Sequence, residues 1–292
     1  MNTWRVLRVL LTNKCNLDCI YCHNEGQKKG RDDIDFSLLT YLIQNNNIWN
    51  FQKIFFSGGE PLTYKKINDI ILFTHKNSNV DIGLVTNGIY LNNKLLETIE
   101  LTHTHLIISL QSLEPAVYFE VTKQDKIEQL LNNIKLAKEK DIKITLNHVL
   151  YNDNDISYQK VIEYALETNI DVKLLPYYDA IGNRQKDVPS DLLNYLSKNS
   201  LDVIDTKKGR TEYILSSKSG TKINVSVLNS FCLTCNKLYC RNYSEIRLLP
   251  DFTLQPCICK PSFNENIQGE LITKNIEKIS QTLSQLYQRK YL

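Results

Sequence analysis

Three cysteines lie close together near the amino terminus, in the segment LLTNKCNLDCIYCHNEG. Cys15, Cys19 and Cys22 follow the spacing C-x3-C-x2-C. A structural zinc site normally closes with four protein ligands, and disulfide bonds use cysteines in pairs. Three thiolates that hold a metal centre and leave one coordination position open therefore predict a centre at which chemistry takes place.

The remaining five cysteines form a second group near the carboxyl end, and no cysteine lies between the two groups. The members of this group are Cys232, Cys235, Cys240, Cys257 and Cys259. Cysteines scattered at random would not divide in this way, so the division predicts two separate sites. Zinc is an alternative occupant of the second site, because C-x2-C followed by two later cysteines also suits a zinc ribbon.

The composition is that of an ordinary globular protein. The chain has 292 residues, of which 42% are hydrophobic and 23% charged, and its net charge is +3 at pH 7. This charge is too small to indicate a nucleic acid or a membrane as a partner. The first residues lack the features of a signal peptide, and no apolar run is long enough to cross a bilayer. We therefore expect a cytoplasmic location, where clustered cysteines more often bind metals or take part in catalysis than form disulfides.

Residues 4–178 alternate short apolar runs with amphipathic segments. The apolar runs are RVLRVLL, KIFFSGG, VDIGLVTNG, THLIISLQS, IKITLNHVL and DVKLLPYY. Between the fourth and fifth of these runs, residues 127–137 carry apolar side chains at the spacing of a one-sided helix. Six strand–helix units predict a parallel sheet with right-handed crossovers, either an open doubly wound sheet or a partial barrel. Both arrangements place chemistry at the carboxyl ends of the strands.

Unusual polar residues follow the ends of these predicted strands. In strand order they are Cys15, SGGEP (residues 57–61), TNG (residues 86–88), Ser109 with Gln111, Thr145 with Asn147, and Lys173 with Tyr177. Thr145 and Asn147 alternate with apolar residues, so we expect them to point away from the helices. The chemistry should therefore gather at one rim of the sheet.

The pattern changes after residue 185, and we place a boundary between residues 1–185 and residues 186–292. The run TEYILSSKSGTKINVSVL indicates a β-hairpin with its turn at Ser-Lys-Ser-Gly. The second cysteine group follows, and KNIEKISQTLSQLYQRKYL indicates a closing amphipathic helix. We expect these elements to form a smaller α+β module.

The first cysteine group and the strand-end motifs together resemble those of radical S-adenosylmethionine (SAM) enzymes. The cysteine loop, SGGEPL, VTNGIYL and ISLQSLEP stand in the order and near the spacing of that family. The resemblance implies a 4Fe–4S cluster held by Cys15, Cys19 and Cys22, with SAM bound at the fourth iron. Such a cluster supplies one electron that cleaves SAM, and the resulting 5′-deoxyadenosyl radical abstracts a hydrogen atom from the substrate.

The same resemblance implies roles for the strand-end residues. Gly58, Gly59 and Glu60 would meet the methionine amino group of SAM, because glycines permit close approach and a carboxylate accepts from an ammonium. Candidates for contacts with the ribose, the carboxylate and the substrate are Thr86, Asn87, Ser109 and Gln111. The adenine would lie against the backbone near Tyr21.

The second cysteine group resembles the C-terminal segment of the GTP 3′,8-cyclases of molybdenum-cofactor biosynthesis. FCLTCNKL and IRLLPDFTLQPC match that segment, which implies an auxiliary 4Fe–4S cluster on Cys232, Cys235 and Cys257. An apparent insertion, YCRNYSE, brings Cys240, and Cys259 is also extra. Either of these two could act as a fourth ligand, and the sequence leaves that choice open. Arg8 falls where the cyclases carry an arginine, and we place it with the catalytic cysteines.

Several departures from the cyclase pattern speak against GTP cyclisation. A K-x-N pattern expected on the fifth strand is Thr145-Leu146-Asn147 here, and lysines stand at Lys173 and Lys237 where the cyclases have arginines. A lysine cannot reproduce the planar fork of a guanidinium on a phosphate or a base edge. The glycine-rich tail of the cyclases is also absent, since the chain ends in QRKYL.

We therefore expect an α/β enzyme of the radical SAM class: a partial (β/α)6 TIM-like barrel in residues 1–185 and a small α+β auxiliary-cluster module in residues 186–292. The substrate would lie between two 4Fe–4S clusters, in contact with Asn147, Lys173, Tyr177, Lys237 and Arg247. Arg8, Lys173, Lys237 and Arg247 would make this pocket cationic, which predicts an anionic substrate, either a nucleotide or a peptide. A flavodoxin- or ferredoxin-type protein would donate the electron. The alternatives are a true GTP 3′,8-cyclase and a non-catalytic iron–sulfur electron carrier or scaffold.

Overall fold

A computed structural model describes residues 4–27, 30–151, 157–179, 184–185, 187–217, 220–228 and 235–291. Cys232 lies outside the described residues. None of the helices in these ranges is long and apolar enough to span a membrane.

Six parallel strands form the centre of the fold. They are β1 (Val6–Leu10), β2 (Lys53–Ser57), β3 (Asp81–Thr86), β4 (His105–Ser109), β5 (Ile144–Leu150) and β6 (Asp171–Pro176). Each pairs with the next one along the chain. Because every right-handed crossover advances in the same direction, the connecting helices fall on one face of the sheet. A doubly wound sheet would instead reverse its strand order, so the order observed here is that of a partial barrel.

Helices follow the strands as the sequence predicts. They are α1 (Phe36–Gln44), α2 (Asn46–Trp49), α3 (Ile67–Asn77), α4 (Asn93–Leu101), α5 (Pro115–Thr122), α6 (Ile127–Glu139) and α7 (Ser157–Thr168). Asp35 and Asn92 cap α1 and α4 by accepting from the backbone N–H of Leu38 and Leu95, which satisfies donors that a helix start leaves free. The periodic apolar residues of α6 are buried against the sheet.

The alternation of β5 is observed as predicted. Ile144, Leu146, His148 and Leu150 are buried on one side of the strand, whereas Thr145, Asn147 and Val149 are half-buried on the other. Successive side chains of a strand point to opposite faces. The apolar side therefore packs on the helices, and the polar side faces the interior of the barrel.

The strands after residue 176 are short, apart from one hairpin. They are β7 (Tyr178–Asp179), β8 (Arg184–Gln185), β9 (Asp202–Asp205), β10 (Arg210–Ser216), β11 (Lys222–Leu228), β12 (Glu245–Leu248), β13 (Thr253–Gln255) and β14 (Glu265–Asn266). The helices of this part are α8 (Ser190–Asn199), α9 (Lys237–Tyr243), α10 (Gln268–Ile272) and α11 (Ile276–Tyr291). The predicted hairpin is confirmed as the antiparallel pair β10–β11, and the predicted closing helix is α11.

These late strands extend both edges of the barrel sheet. β11 pairs in parallel with β6 and carries β10 and β9 beyond it. At the opposite edge, β12 pairs in parallel with β1 and carries β13 and β14. The sequence indicated a module after the barrel, and its local patterns could not show that the strands would join the barrel's own sheet. The division at residue 185 stays a prediction.

The C-terminal helix packs against the start of the chain. Trp4 is buried, and its indole Nε1 donates to the carbonyl oxygen of Leu283 at 2.9 Å. Its ring lies 5.3 Å from that of Tyr287 and 5.5 Å from that of Tyr291. This cluster joins the two ends of the described chain next to β1 and β12.

Candidate active site

A cavity of about 220 Å³ lies at the carboxyl ends of the strands and collects most of the predicted site residues. Its lining includes Cys15, Cys19, Tyr21, Cys22, Gly58, Gly59, Glu60, Thr86, Asn87, Ser109, Gln111 and Asn147. The parallel strands bring these residues together from distant parts of the chain, as predicted from their positions after the strand ends. We call this space the upper cavity.

The three thiols of the cysteine loop border the upper cavity. Cys15 and Cys22 are exposed, and Cys19 is half-buried. Backbone N–H groups of Leu17 and Asn24 donate to the sulfur atoms of Cys15 and Cys22 at 3.4 and 3.3 Å. Burial raises the pKa of the Cys15 thiol to about 11 and that of the Cys19 thiol to about 12. These thiols therefore need a cationic centre such as iron to ionise near neutral pH.

The glycine-rich turn after β2 is packed directly on the cysteine loop. The N–H of Gly59 donates to the carbonyl oxygen of Thr12 at 2.8 Å, and the N–H of Glu60 donates to that of Lys14 at 2.7 Å. Gly58 has a φ of +146°, and a Cβ there would lie 2.5 Å from the oxygen of Thr12. Only glycine fits this contact, so the turn and the residue before Cys15 are held in one arrangement.

Glu60 ties the glycine-rich turn to the end of β3. Its carboxylate accepts from the Leu62 N–H at 2.9 Å, the Thr86 hydroxyl at 2.6 Å and the Asn87 N–H at 2.7 Å. Burial raises the pKa of Glu60 to about 7, although these three hydrogen bonds oppose the shift. A carboxylate has about four acceptor positions, so roughly one is left for a ligand. Direct contact of Glu60 with SAM stays a prediction.

Asn87 links β3 to the cysteine loop through a residue that sequence analysis missed. Its side-chain Nδ2 donates to Oδ1 of Asn16 at 2.7 Å, and its Oδ1 accepts from the N–H of Ile89 at 3.1 Å. Asn16 lies between the first two cysteines, and its position in the loop was the only signal that could have drawn attention to it. The loops after β1, β2 and β3 thus form one hydrogen-bonded unit.

Two amide atoms of the upper cavity are candidates for ligand contacts. Gln111 Nε2 and Asn147 Oδ1 are buried and have no hydrogen-bond partner among the described residues. Gln111 is oriented by its Oε1, which accepts from the N–H of Val149 at 3.1 Å. Buried polar atoms without partners are costly, so both atoms fit a site for a polar ligand such as SAM.

The arrangement of the thiols fits an iron–sulfur cluster. In the described part of the chain, no three Cys, His, Asp or Glu side chains converge as the ligands of one metal ion would. Each thiolate of a 4Fe–4S cluster binds a different iron, so a cluster does not require such convergence.

A second cavity of about 390 Å³, the lower cavity, lies inside the barrel at the amino ends of the strands. Asn147 lines both cavities, so the two are adjacent. Lys173 and Thr145 line this lower cavity, so the prediction that they lie at the rim formed by the carboxyl ends of the strands is corrected: both stand early in their strands. Arg210 and Tyr243, which sequence analysis did not identify, also line it. Burial, Arg210 and Arg8 lower the pKa of Lys173 to about 8. Lys173 makes no ion pair within the described residues.

Two of the predicted basic residues are neutralised by carboxylates. Arg8 donates from Nε and Nη2 to both oxygens of Glu245 at 3.1 and 3.0 Å. Arg247 lies 3.0 Å from Glu245 and 3.2 Å from Glu25. The prediction that Arg8 and Arg247 make the pocket cationic is therefore corrected, because sequence analysis did not identify their two acidic partners.

The remaining substrate candidates lie elsewhere. Lys237 is exposed at the start of α9, and Tyr177 is half-buried just after β6. Neither residue lines the upper or the lower cavity. The structure thus brings Asn147 and Lys173 to the barrel interior but not Lys237 or Tyr177.

The described cysteines of the second group have different neighbours. The Cys259 thiol forms a hydrogen bond with that of Cys257, and this bond and burial raise the pKa of Cys257. The Cys240 sulfur lies 3.8 Å from the hydroxyl of Tyr291 on α11. Cys235 is exposed. Among the described members of the predicted auxiliary site, Cys257 and Cys259 are therefore in contact through their thiols.

Known proteins resemble this chain over most of its length. A probable GTP 3′,8-cyclase of Methanocaldococcus jannaschii is 26% identical over 270 residues, covering 88% of this chain and 85% of the relative. A GTP 3′,8-cyclase of Clostridium perfringens is 28% identical over 266 residues, covering 86% of this chain and 80% of the relative. The resemblance to these cyclases that the motifs indicated is confirmed.

A solved structure shares the fold. SuiB of Streptococcus suis, bound to the precursor peptide SuiA, superimposes with a TM-score of 0.73 at 15% identity. The match covers 95% of this chain and 64% of SuiB, so the chain spans less than two thirds of that protein. The family model of the radical SAM superfamily matches residues 9–165, which is more than half of the chain. Membership of that family implies a 4Fe–4S cluster and SAM as its cofactors, and the donor set of the upper cavity fits both. This chain belongs to the radical SAM superfamily.

Proposed function

We propose that this chain is an enzyme that abstracts a hydrogen atom from an anionic substrate bound inside the barrel. The cluster and SAM, when bound in the upper cavity, supply a 5′-deoxyadenosyl radical. The observation that carries the proposal is the adjacency of the two cavities, which share Asn147. A substrate in the lower cavity would therefore lie next to the SAM site, with Asn147 between them.

The residues of the upper cavity bind and orient the cofactors. Cys15, Cys19 and Cys22 would hold the cluster, and the turn containing Gly58 and Gly59 fixes the backbone beside them. Gln111 Nε2 and Asn147 Oδ1 supply a donor and an acceptor that no described residue uses. Because the loops are hydrogen-bonded to one another before any ligand binds, little reorganisation is needed at the moment of reaction.

The lower cavity supports the anionic character of the substrate. Lys173 and Arg210 both face it, and their mutual repulsion contributes to the lowered pKa of Lys173. A carboxylate or phosphate placed between two such cations would relieve that repulsion and gain charge-assisted hydrogen bonds. This feature supports a nucleotide or an acidic peptide as the substrate class. SuiB was solved with a precursor peptide, which makes peptides a class worth testing here.

A true GTP 3′,8-cyclase is the second candidate, and the named relatives favour it. Against it stand Thr145 in place of a lysine of the cyclases and Lys173 in place of an arginine, whose planar fork a lysine cannot reproduce. In addition, Arg8 and Arg247 are occupied by Glu245 and Glu25, so they are not free to bind a nucleotide in this arrangement. We therefore place a related modifying enzyme first.

Residues 186–292 would carry a second 4Fe–4S cluster. Its proposed ligands are Cys232, Cys235 and Cys257, with Cys240 or Cys259 as a possible fourth. The contact between Cys257 and Cys259 supports a shared centre for these two. A small iron–sulfur or flavin protein of the ferredoxin or flavodoxin type would deliver the electron to the first cluster.

Anaerobic reconstitution with metal counting tests the cofactors. About eight irons per chain would support two cubane clusters, whereas about four irons with one zinc would support the zinc alternative at the second site. Replacing Cys15, Cys19 and Cys22 together by alanine should remove about four irons and all cleavage of SAM.

Substrate-dependent release of 5′-deoxyadenosine tests the substrate class. GTP, other nucleotides and acidic peptides should be assayed in parallel against the slow cleavage of SAM without substrate. Stimulation by GTP, with formation of its cyclised product, would establish the second candidate. Failure of every anionic compound to stimulate release would refute the proposed substrate class.

A further inference from the structure

Four charged side chains form a continuous, largely buried network beside the upper cavity. In order they are Glu25, Arg247, Glu245 and Arg8, linked by contacts of 3.2, 3.0 and 3.0 Å. The exposed fractions of these side chains are 23, 19, 6 and 13%. The two positive and two negative charges of this network balance, so the network needs no further counter-ion.

The two ends of this network, Glu25 and Arg8, lie on different parts of the fold. Glu25 belongs to the cysteine loop, three positions after Cys22, and it lines the upper cavity. Arg247 and Glu245 lie on β12, the strand that residues after 186 add beside β1. Arg8 lies on β1 itself and stacks over the ring of Phe55 at 5.4 Å. Through the ion pair between Arg247 and Glu25, strand β12 thus contacts the cysteine loop.

The backbone at Glu25 is in a sparsely populated conformation. Its φ and ψ are +53° and +24°, the left-handed region, which favours glycine. For residues other than glycine this region is uncommon, and surrounding contacts help to hold them in it. The ion pair with Arg247 is such a contact, and it acts on the segment that directly follows the third cysteine.

Electrostatics keep the pair ionised around neutral pH. Burial alone would raise the pKa of Glu25, but Arg8 and Arg247 hold it below its ordinary value. Burial would likewise raise the pKa of Glu245, and the same two arginines lower it to about 2. Tyr243 also donates a hydrogen bond to Glu245. Neither carboxylate therefore loses its charge in the range in which an enzyme is assayed.

We propose that Glu25 is a positioning residue for the catalytic cluster, held in place by Arg247 of β12. The inference rests on the proposed function, because it requires a cluster at Cys15, Cys19 and Cys22. Residues that orient metal ligands without binding the metal typically affect affinity or activity by about 10- to 100-fold. The C-terminal strands are then part of the support of the first cluster, in addition to lining the substrate cavity.

The test compares Glu25→Gln and Arg247→Lys with a matched control in the reconstituted full-length chain. Glu25→Gln keeps the shape of the side chain and removes its charge, and Arg247→Lys keeps the charge and removes the fork. The control is Glu265→Gln, which removes the charge from a glutamate that forms an exposed ion pair of 3.0 Å with Arg289. Iron content, the paramagnetic resonance spectrum of the reduced cluster with and without SAM, and its midpoint potential are measured for each.

We expect Glu25→Gln to keep its iron, to change the spectrum and potential, and to slow SAM cleavage about 10- to 100-fold. Arg247→Lys should show a smaller change of the same kind, and Glu265→Gln none. The double variant should change the spectrum and potential no more than Glu25→Gln alone, because both changes act on the cluster through the contact between Glu25 and Arg247. Loss of the second contact of Arg247, with Glu245, should affect stability and leave the spectrum unchanged. A Glu25→Gln protein whose spectrum and potential match those of the unaltered chain would overturn the inference alone. An unaltered chain that binds no iron at its first three cysteines would instead overturn the proposed function.

Discussion

Replacing Gly59 by alanine should disable the cluster site by displacing the backbone next to Cys15. A Cβ on Gly59 would lie 2.6 Å from the carbonyl carbon of Lys14 and closer still to its oxygen. Nonbonded carbon atoms rest about 3.5 Å apart, so one of the two segments must move by roughly 1 Å. The hydrogen bond of 2.7 Å from the Glu60 N–H to the Lys14 oxygen lies at the same contact and would be strained.

The expected damage is larger for activity than for stability. Overpacking of this kind costs about 1–3 kcal/mol, which a chain with this many buried residues should survive. A misplacement of about 1 Å at a reacting centre, in contrast, can cost about 100-fold in rate. We therefore expect a folded protein with reduced iron content and with SAM cleavage lowered about 100-fold.

The assay measures release of 5′-deoxyadenosine by the reduced, reconstituted protein, alongside iron content and the thermal midpoint. Gly269→Ala on α10 is the matched control, because a Cβ there meets no atom within 4 Å. It should keep full iron content and full activity. If Gly59→Ala behaved like Gly269→Ala, the glycine-rich turn would not be holding the cysteine loop, and the reasoning would be refuted.

Three further predictions follow from single contacts. Burial raises the pKa of Glu60 to about 7, so its carboxylate is mostly ionised at pH 8 and mostly protonated at pH 6. If the ammonium group of SAM meets this carboxylate, SAM should bind about tenfold more tightly at pH 8 than at pH 6. Equilibrium dialysis measures the affinity, and an affinity that does not change with pH would contradict the contact. Lys173→Gln should weaken substrate binding about 10- to 100-fold, because it removes a charge-assisted hydrogen bond. Lys237→Gln changes an exposed lysine and should leave binding unchanged. Equal effects of the two variants on the KM would contradict the assignment of the lower cavity as the substrate site. Trp4→Ala should lower the free energy of unfolding by about 3–5 kcal/mol, because the buried indole packs on α11. Denaturant titration measures this free energy. A loss below about 1 kcal/mol would refute the role of Trp4 in joining the two ends of the described chain.

The strand–helix alternation and the site at the strand ends could be predicted because they depend on local sequence. The period of β5 placed Thr145 and Asn147 on the inner face, and the cysteine spacing identified the cluster loop. Each of these inferences uses only the alternation of a strand or the distance between neighbours along the chain. The parallel sheet then brings the strand ends together, as the rules of the fold require.

Contacts between distant segments could not be predicted in this way. Nothing near Arg8 in the sequence indicates that Glu245, 237 positions later, will neutralise it. The basic residues were therefore counted as free charges, although two of the four are paired with carboxylates. Lys237 was placed in the pocket from its motif alone, and the described helix α9 leaves it exposed. Charge pairing depends on strand order at the sheet edges, which local patterns do not encode.

The position of the proposed substrate cavity accounts for why membership of the family does not identify the substrate. The family model ends at residue 165, and the residues before this point form the cysteine loop and its supporting turns. Much of the polar lining of the lower cavity lies beyond it: Lys173 on β6, Arg210 on β10, Ser226 on β11 and Tyr243 at the end of α9. Under the proposed function, the matched part of the chain would hold the cluster and SAM, with support from Arg247 of β12, and substrate choice would depend largely on the strands that complete the sheet. A change of substrate class can therefore arise in residues 166–292 while the radical chemistry stays the same, which is why the assays above vary the substrate and keep SAM constant.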